Sequence, residues 1–259
     1  MSGALPAVPS QSLEGRHALV TGAGRGIGRA CALALVQAGA SVTLVARSVP
    51  ELEAVVGEAE SLGGRAYACE ADVTSADDVE RAVAAAREHG DLAIAVSAAG
   101  VNRPGPTVEL GLEDWDLVLD TNLRGTFLLC RAVGAHLLER RQGGRIIAIS
   151  SQMGEVGYPG RAAYCASKHA VNGLTKALAV EWAPEGITVN AVAPTFIRTP
   201  LTEPMLDDPE FRDEVLRRIP AGKIGEVEDV IGAVAFLASD AAALVTGHVL
   251  AVDGGWTAW

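Results

Sequence analysis

This chain of 259 residues is poor in aromatic surface, in cysteine and in positive charge. Phe, Trp and Tyr make up only 4% of it, so any core has to be assembled from aliphatic side chains. The four cysteines, Cys31, Cys69, Cys130 and Cys165, show no C-x-x-C spacing and no nearby His cluster. That indicates neither a zinc site nor a disulfide framework, and leaves buried free thiols as the expectation. Lys and Arg number 21 against 32 Asp and Glu, a net charge of −11. Such a balance argues against nucleic acid and anionic membrane as partners, and disfavours an acidic carrier protein. No apolar run approaches the ~18 residues that span a bilayer. The opening MSGALPAVPSQSLEG carries two prolines and no basic n-region, so it does not read as a secretory signal. Residues 1–12 read as a flexible tail, and the protein as soluble and cytoplasmic.

What is present is the composition of a folded α/β protein, 49% hydrophobic and 20% charged. Along the chain, short apolar runs alternate with amphipathic segments. His17–Thr21, Ser41–Ala46, Arg65–Ala71, Leu92–Val96, Arg145–Ile149, Ile187–Val192 and HVLAVDGG read as strands. Pro50–Leu62, Ser75–His89, Leu112–Glu139 and Arg161–Trp182 read as helices, and Gly39 as the end of the helix after the first strand. There is no repeat and no second core. The expectation is one domain over residues 13–259, a doubly wound parallel sheet of about seven strands with helices on both faces.

Two segments carry chemistry. The first, TGAGRGIG at 21–28, lies between a strand and a helix. Gly22 permits a tight turn, Gly26 and Gly28 allow close approach of a pyrophosphate, and the helix opening near Ile27 offers free N–H groups and a positive dipole end. An NAD-type site wants a carboxylate at the end of the second strand, where this chain has Ala46, Arg47 and Ser48. With Arg25 inside the glycine loop, two guanidiniums and no carboxylate suit a 2′-phosphate, which points to NADP(H) over NAD(H).

The second segment runs from Ser151 to Lys168, SQMGEVGYPGRAAYCASK. Tyr164 and Lys168 stand four residues apart, which stacks phenol and ammonium on one helical face. Alone, Tyr-x-x-x-Lys is a weak pattern. A free phenol has a pKa of ~10, and a cation ~4 Å away at an effective dielectric of ~20 is worth about 4 kcal/mol, or roughly three pKa units downward, with burial opposing it. Tyr164 is therefore a candidate general acid/base and Lys168 its electrostatic partner.

These motifs, in this order and spacing, make nearly the whole chain from about Leu13 resemble the short-chain dehydrogenase/reductase family. The resemblance implies hydride transfer between a nicotinamide and a secondary alcohol or ketone. It implies that Lys168 also binds ribose hydroxyls, that Ser151 polarises the carbonyl and that Asn122 supports a proton relay; as a bare feature, Asn122 is equally a helix-bending polar residue. It adds Asp72, Val73, Ala99, Gly100, Pro194, Ile197 and Thr199 to the cofactor site, although Asp72 reads equally as a helix cap. Ser97, Ala98 and Thr195 depart from the family's residues and put their usual contacts in doubt. Asn102, Gln152, Met153, Tyr158, Phe196 and Met205, with Trp256, are the substrate-pocket candidates, and residues 195–222 the expected lid. The tail AVDGGWTAW and the RIPAGKIG segment are similar to sugar-acid dehydrogenases acting on gluconate-like substrates. The frame is also similar to 3-oxoacyl-carrier-protein reductases, but Leu128 and Val180 stand where those present arginines. A cofactor-sensing regulator without catalysis is a further alternative, disfavoured because all four catalytic candidates are present. The family also implies a homotetramer; from the residues themselves, no metal is expected.

Overall fold

The computed structural model describes residues 7–258. Residues 1–6 of the expected tail lie outside the described residues; residues 7–12 are exposed without regular structure, and the chain enters the core at the fully buried Leu13.

Seven strands, β1 (His17–Thr21), β2 (Ser41–Ala46), β3 (Ala66–Glu70), β4 (Leu92–Ser97), β5 (Gly144–Ile149), β6 (Ile187–Pro194) and β7 (Val249–Val252), form one sheet. Its order is β3-β2-β1-β4-β5-β6-β7 and every pairing is parallel. The helices are α1 (Gly26–Gln37), α2 (Val49–Ser61), α3 (Ala76–His89), α4 (Leu112–Leu119), α5 (Gly125–Arg140), α6 (Ala162–Trp182), α7 (Glu203–Leu206), α8 (Pro209–Arg218) and α9 (Val227–Ala238). All residues of β1, β4 and β6 are buried, because both sheet faces are covered. That is why these strands read as unbroken apolar runs and do not alternate. Helices α1, α2 and α9 pack on one face and α3, α5 and α6 on the other.

Two expectations change. The single helix over 112–139 is two helices joined by a π turn at Asp120–Arg124. The buried Asn122 turns its amide towards Val101, and Gly125 packs so closely on Val73 that a Cβ would come within 2.9 Å of its side chain. Asp72 does not cap α3. Ser75 does, accepting from the Asp78 N–H, while Asp72 closes its own turn by accepting from the Thr74 N–H and hydroxyl.

From β1 the chain winds outward to β3, then returns to place β4 on the other side of β1. The direction of winding reverses between β1 and β4, and the loops after their carboxyl ends diverge to leave a crevice.

Candidate active site

The crevice is a cleft of about 750 Å³. Gly22, at φ +65°, lets the turn after β1 lie against the loop after β4; a Cβ there would come within 2.8 Å of the Ala99 backbone. At the N-terminus of α1 the cap residue Arg25 makes no side-chain capping bond, and the first turn holds no acid. Its leading N–H groups are left to the cleft, where an anion complements them. All the residues assigned to the cofactor from sequence line this one cleft, from Gly22, Arg25, Gly26, Ile27 and Gly28 through Arg47, Ser48, Asp72, Val73, Ala99 and Gly100 to Pro194, Ile197 and Thr199. The residues present thus fit a dinucleotide. Glu51, the first acid after β2 and given no role from the sequence, also lines the cleft and pairs with Arg25 at 3.6 Å; Arg47 pairs with Asp72 at 3.9 Å. Both arginine side chains are largely exposed, so these pairs are weak.

Where β5 ends, the chain is clamped onto α6. The Ser150 hydroxyl donates to Asn172 Oδ1 at 2.6 Å, and Asn172 Nδ2 donates to the Gly154 carbonyl at 2.9 Å. Between them the buried Ser151 accepts from the Met153 N–H. Tyr164 and Lys168 follow one turn apart on α6. Lys168 Nζ donates to the Ile149 carbonyl at 2.8 Å and lies 5.5 Å from the centre of the Tyr164 ring.

Burial dominates the titration of both groups. It pulls Lys168 down to about 8 and pushes Tyr164 up to about 12, against the neighbouring Ser151 hydroxyl, which acts in the lowering direction. The expected downward shift of the phenol is therefore reversed, because removal from water outweighs the lowering by Ser151 and by the Arg161 charge.

Asn122 accepts from the Val101 N–H and donates to the Val101 carbonyl and the Ser167 hydroxyl. It thus ties the loop after β4 to α6. The two departures at 97–98 find partners. Ser97 Oγ lies 2.9 Å from Thr126 Oγ1, which donates to the Asn122 carbonyl, and the Ala98 N–H donates to Thr21 Oγ1 at 3.1 Å.

Beside the cleft lies a cavity of about 60 Å³. Ser151 and Tyr164 line both spaces. Of the substrate candidates, Asn102, Gln152, Met153, Phe196 and Met205 line the cavity. Tyr158 does not: its hydroxyl donates to Glu214 and its ring packs on Phe196 and Trp256, behind the wall. Trp256 is likewise a packing residue. The cavity adds Arg161, Thr195, Leu201 and Thr202, which sequence reasoning did not assign to it. One signal was available for Arg161, a cation three residues before Tyr164 at the start of the same helix. Of the two positions without a carrier-docking arginine, Leu128 is buried and only Val180 is exposed.

A short-chain alcohol-dehydrogenase family model, described as Enoyl-(Acyl carrier protein) reductase, matches residues 22–257. The chain belongs to the short-chain dehydrogenase/reductase family. It is similar to gluconate 5-dehydrogenase of Gluconobacter oxydans (strain 621H), 41% identical over 95% of this chain and 96% of the relative. D-threitol dehydrogenase of Mycolicibacterium smegmatis is 43% identical over 95% of this chain and 94% of the relative. The crystal structure of a gluconate 5-dehydrogenase from Burkholderia cenocepacia J2315, in complex with NADP and tartrate, superposes with a TM-score of 0.93 at 36% identity, covering 97% of this chain and 99% of that one. As a short-chain dehydrogenase/reductase the protein is an oxidoreductase that uses a nicotinamide cofactor. No helix among the described residues is long and apolar enough to cross a membrane.

Proposed function

We propose that this short-chain dehydrogenase/reductase interconverts a secondary alcohol and a ketone with NADP(H), on a gluconate-like sugar acid. The observation that carries the reaction is the placement of Ser151 and Tyr164 on the shared wall of cleft and cavity, with Lys168 behind the phenol. The bound nicotinamide supplies or accepts the hydride at the carbonyl carbon. Tyr164 gives the proton to the carbonyl oxygen in reduction and takes it from the hydroxyl in oxidation, so alcohol and NADP⁺ yield ketone, NADPH and one proton. Ser151 donates to the same oxygen. The high phenol pKa keeps that proton in place at neutral pH, which suits donation. The Lys168 ammonium, 5.5 Å from the centre of the phenol ring and still mostly charged at pH 7, is placed to attract the phenolate in the reverse direction. Asn122 positions α6 against the loop after β4, and residues 195–222, with α7 and α8, cover the cavity as a lid.

NADP(H) is favoured because β2 ends at Ala46 and is followed by Arg47, and Arg25 lines the same cleft. The sugar-acid reading is supported by relatives named for gluconate and by the unpaired polar side chains of Asn102, Gln152, Arg161 and Thr195 in the cavity's mixed lining. The carrier-protein alternative draws on the description of the family model. Against it stand the net charge of −11 and the apolar Val180 where a docking arginine is expected. We place the activity in the cytoplasm, consistent with four free cysteines. We also propose a homotetramer, for which the exposed Phe127 and Val180 on α5 and α6 offer apolar surface.

The test is NADPH oxidation over a panel of 5-keto-gluconate, an acetoacetyl thioester, cyclic diketones and aryl ketones, repeated with NADH. Tyr164→Phe should bind NADPH and lose turnover. Near wild-type turnover in that variant would sink the assignment, and silence on every carbonyl with tight NADPH binding would support the sensor alternative.

A further inference from the structure

Arg161 is a buried cation whose partners among the described residues are one backbone carbonyl, one thioether and, 5.9 Å away, the face of the Tyr158 ring. It is 7% exposed at the N-terminal boundary of α6. Nη1 donates to the Gly160 carbonyl, Nη2 reaches only the Met205 sulfur at 3.1 Å, and Nε makes no hydrogen bond. No carboxylate among the described residues pairs with it, and the groups that act on its charge are Tyr158, Cys165 and Tyr164. A guanidinium taken out of water without an anion is costly, and proteins rarely retain one without a use.

It is not alone in its position. Both amide atoms of Gln152, 1% exposed, lack partners, as do Asn102 Oδ1 and Thr195 Oγ1. Among the described residues six buried side-chain polar atoms go unpaired, and five of them belong to residues lining the one cavity that holds Ser151 and Tyr164. Buried polar groups are nearly always paired, so a cluster of exceptions marks a surface shaped for a polar ligand. The cation in that cluster gives the ligand its sign. Arg161 and Tyr164 line the same small cavity, which sets the anion and the reacting carbon within one short molecule.

We propose that Arg161 is the specificity-determining residue of this enzyme: its guanidinium takes the substrate's carboxylate, while Gln152, Asn102 and Thr195 take hydroxyl groups, so that a polyhydroxylated acid is chosen over the corresponding neutral polyol. The proposal rests on the reading of Tyr164 as the proton donor to the substrate in this cavity. The Met205 thioether is the weakest acceptor around Arg161 and the one a carboxylate displaces. Because Met205 belongs to α7, the same exchange opens the lid side of a cavity otherwise small for a six-carbon acid.

The experiment titrates three acid and neutral pairs, gluconate with glucitol, tartrate with threitol and glycerate with glycerol, into the enzyme–NADPH complex by calorimetry. An alcohol cannot react with the reduced cofactor, so binding is read without turnover; oxidation with NADP⁺ is measured separately. The expected result is that at least one acid binds more tightly than its neutral partner. Arg161→Gln should then reduce that acid's affinity on the order of 10²-fold while changing the neutral partner far less. Arg161→Lys, which keeps the charge, should recover part of the preference, and NADPH affinity checks that both variants are folded. Acid and neutral partners binding alike, no acid binding at all, or an unchanged preference in Arg161→Gln would overturn the proposal. Acid-selective binding without turnover would sink the role of Tyr164 and leave the Arg161 assignment standing. Tyr164-dependent turnover without acid preference would do the reverse.

Discussion

Lys168 Nζ donates to the main-chain carbonyl of Ile149 at 2.8 Å, fastening α6 to the end of β5 from inside the protein. The ammonium is 5% exposed and its pKa is pulled from 10.5 to about 8 by burial. A lysine with a depressed folded pKa opposes folding wherever it is charged. Below pH 8 the folded state bears the whole cost, and between pH 8 and 10.5 stability rises with pH as the folded protein releases its proton first.

Removing that charge should therefore separate stability from activity. The shift corresponds to roughly 3 kcal/mol at pH 7, against about 1–3 kcal/mol for leaving the Ile149 carbonyl unpaired. Lys168→Met is expected to lose turnover while keeping a thermal midpoint at or above that of the wild type. A calorimetric scan showing clear destabilisation at pH 7 would contradict this account.

Cofactor preference should respond to three side chains in the cleft. Glu51 partly neutralises Arg25, so it should weaken the attraction for a 2′-phosphate. Glu51→Gln is expected to tighten NADPH binding by up to about tenfold, or ~1.4 kcal/mol. Ala46→Asp with Arg47→Ala should move preference towards NADH. Fluorescence titration of both cofactors reads each change, and unaltered ratios in both variants would refute the proposed 2′-phosphate site.

At the opposite end of the sheet, His17 is buried between two hydroxyls, Nδ1 at 2.7 Å from Ser41 and Nε2 at 2.8 Å from Thr43. Burial, then the charges of His89 and Arg65, lower its pKa from 6.5 to about 4. The neutral ring is favoured in the folded state, so its contribution is complete above pH 6.5 and disappears as the pH falls towards 4. The loss should approach but not exceed about 3 kcal/mol. His17→Gln, which can keep both hydrogen bonds but cannot titrate, should flatten the fall in denaturation midpoint between pH 7 and 4.5. A wild-type slope in the variant would remove His17 as the cause.

How much of this was legible beforehand differs by residue. The glycine loop, Tyr164 and Lys168 could be read directly because each acts through its local element: a βα turn, or one helix face. Contacts that join distant segments could not. Ser97 lost a family amide, yet Thr126, 29 residues away, restores a partner through the π turn. The same break made two helices of an expected one, since a helical period does not reveal where a buried amide will bend the ladder.

By itself, the sequence determined the alternation of strand and helix, the parallel sheet and the pairing of phenol with ammonium, since these follow from periodicity and short spacings. Only tertiary structure decided which polar groups were left without partners, that Tyr158 stands behind the cavity wall and that Arg161 enters it, and the sign of the Tyr164 shift. The physical reason is burial: charge and hydrogen-bonding capacity belong to the residue, but the cost of removing them from water depends on what the fold packs around them.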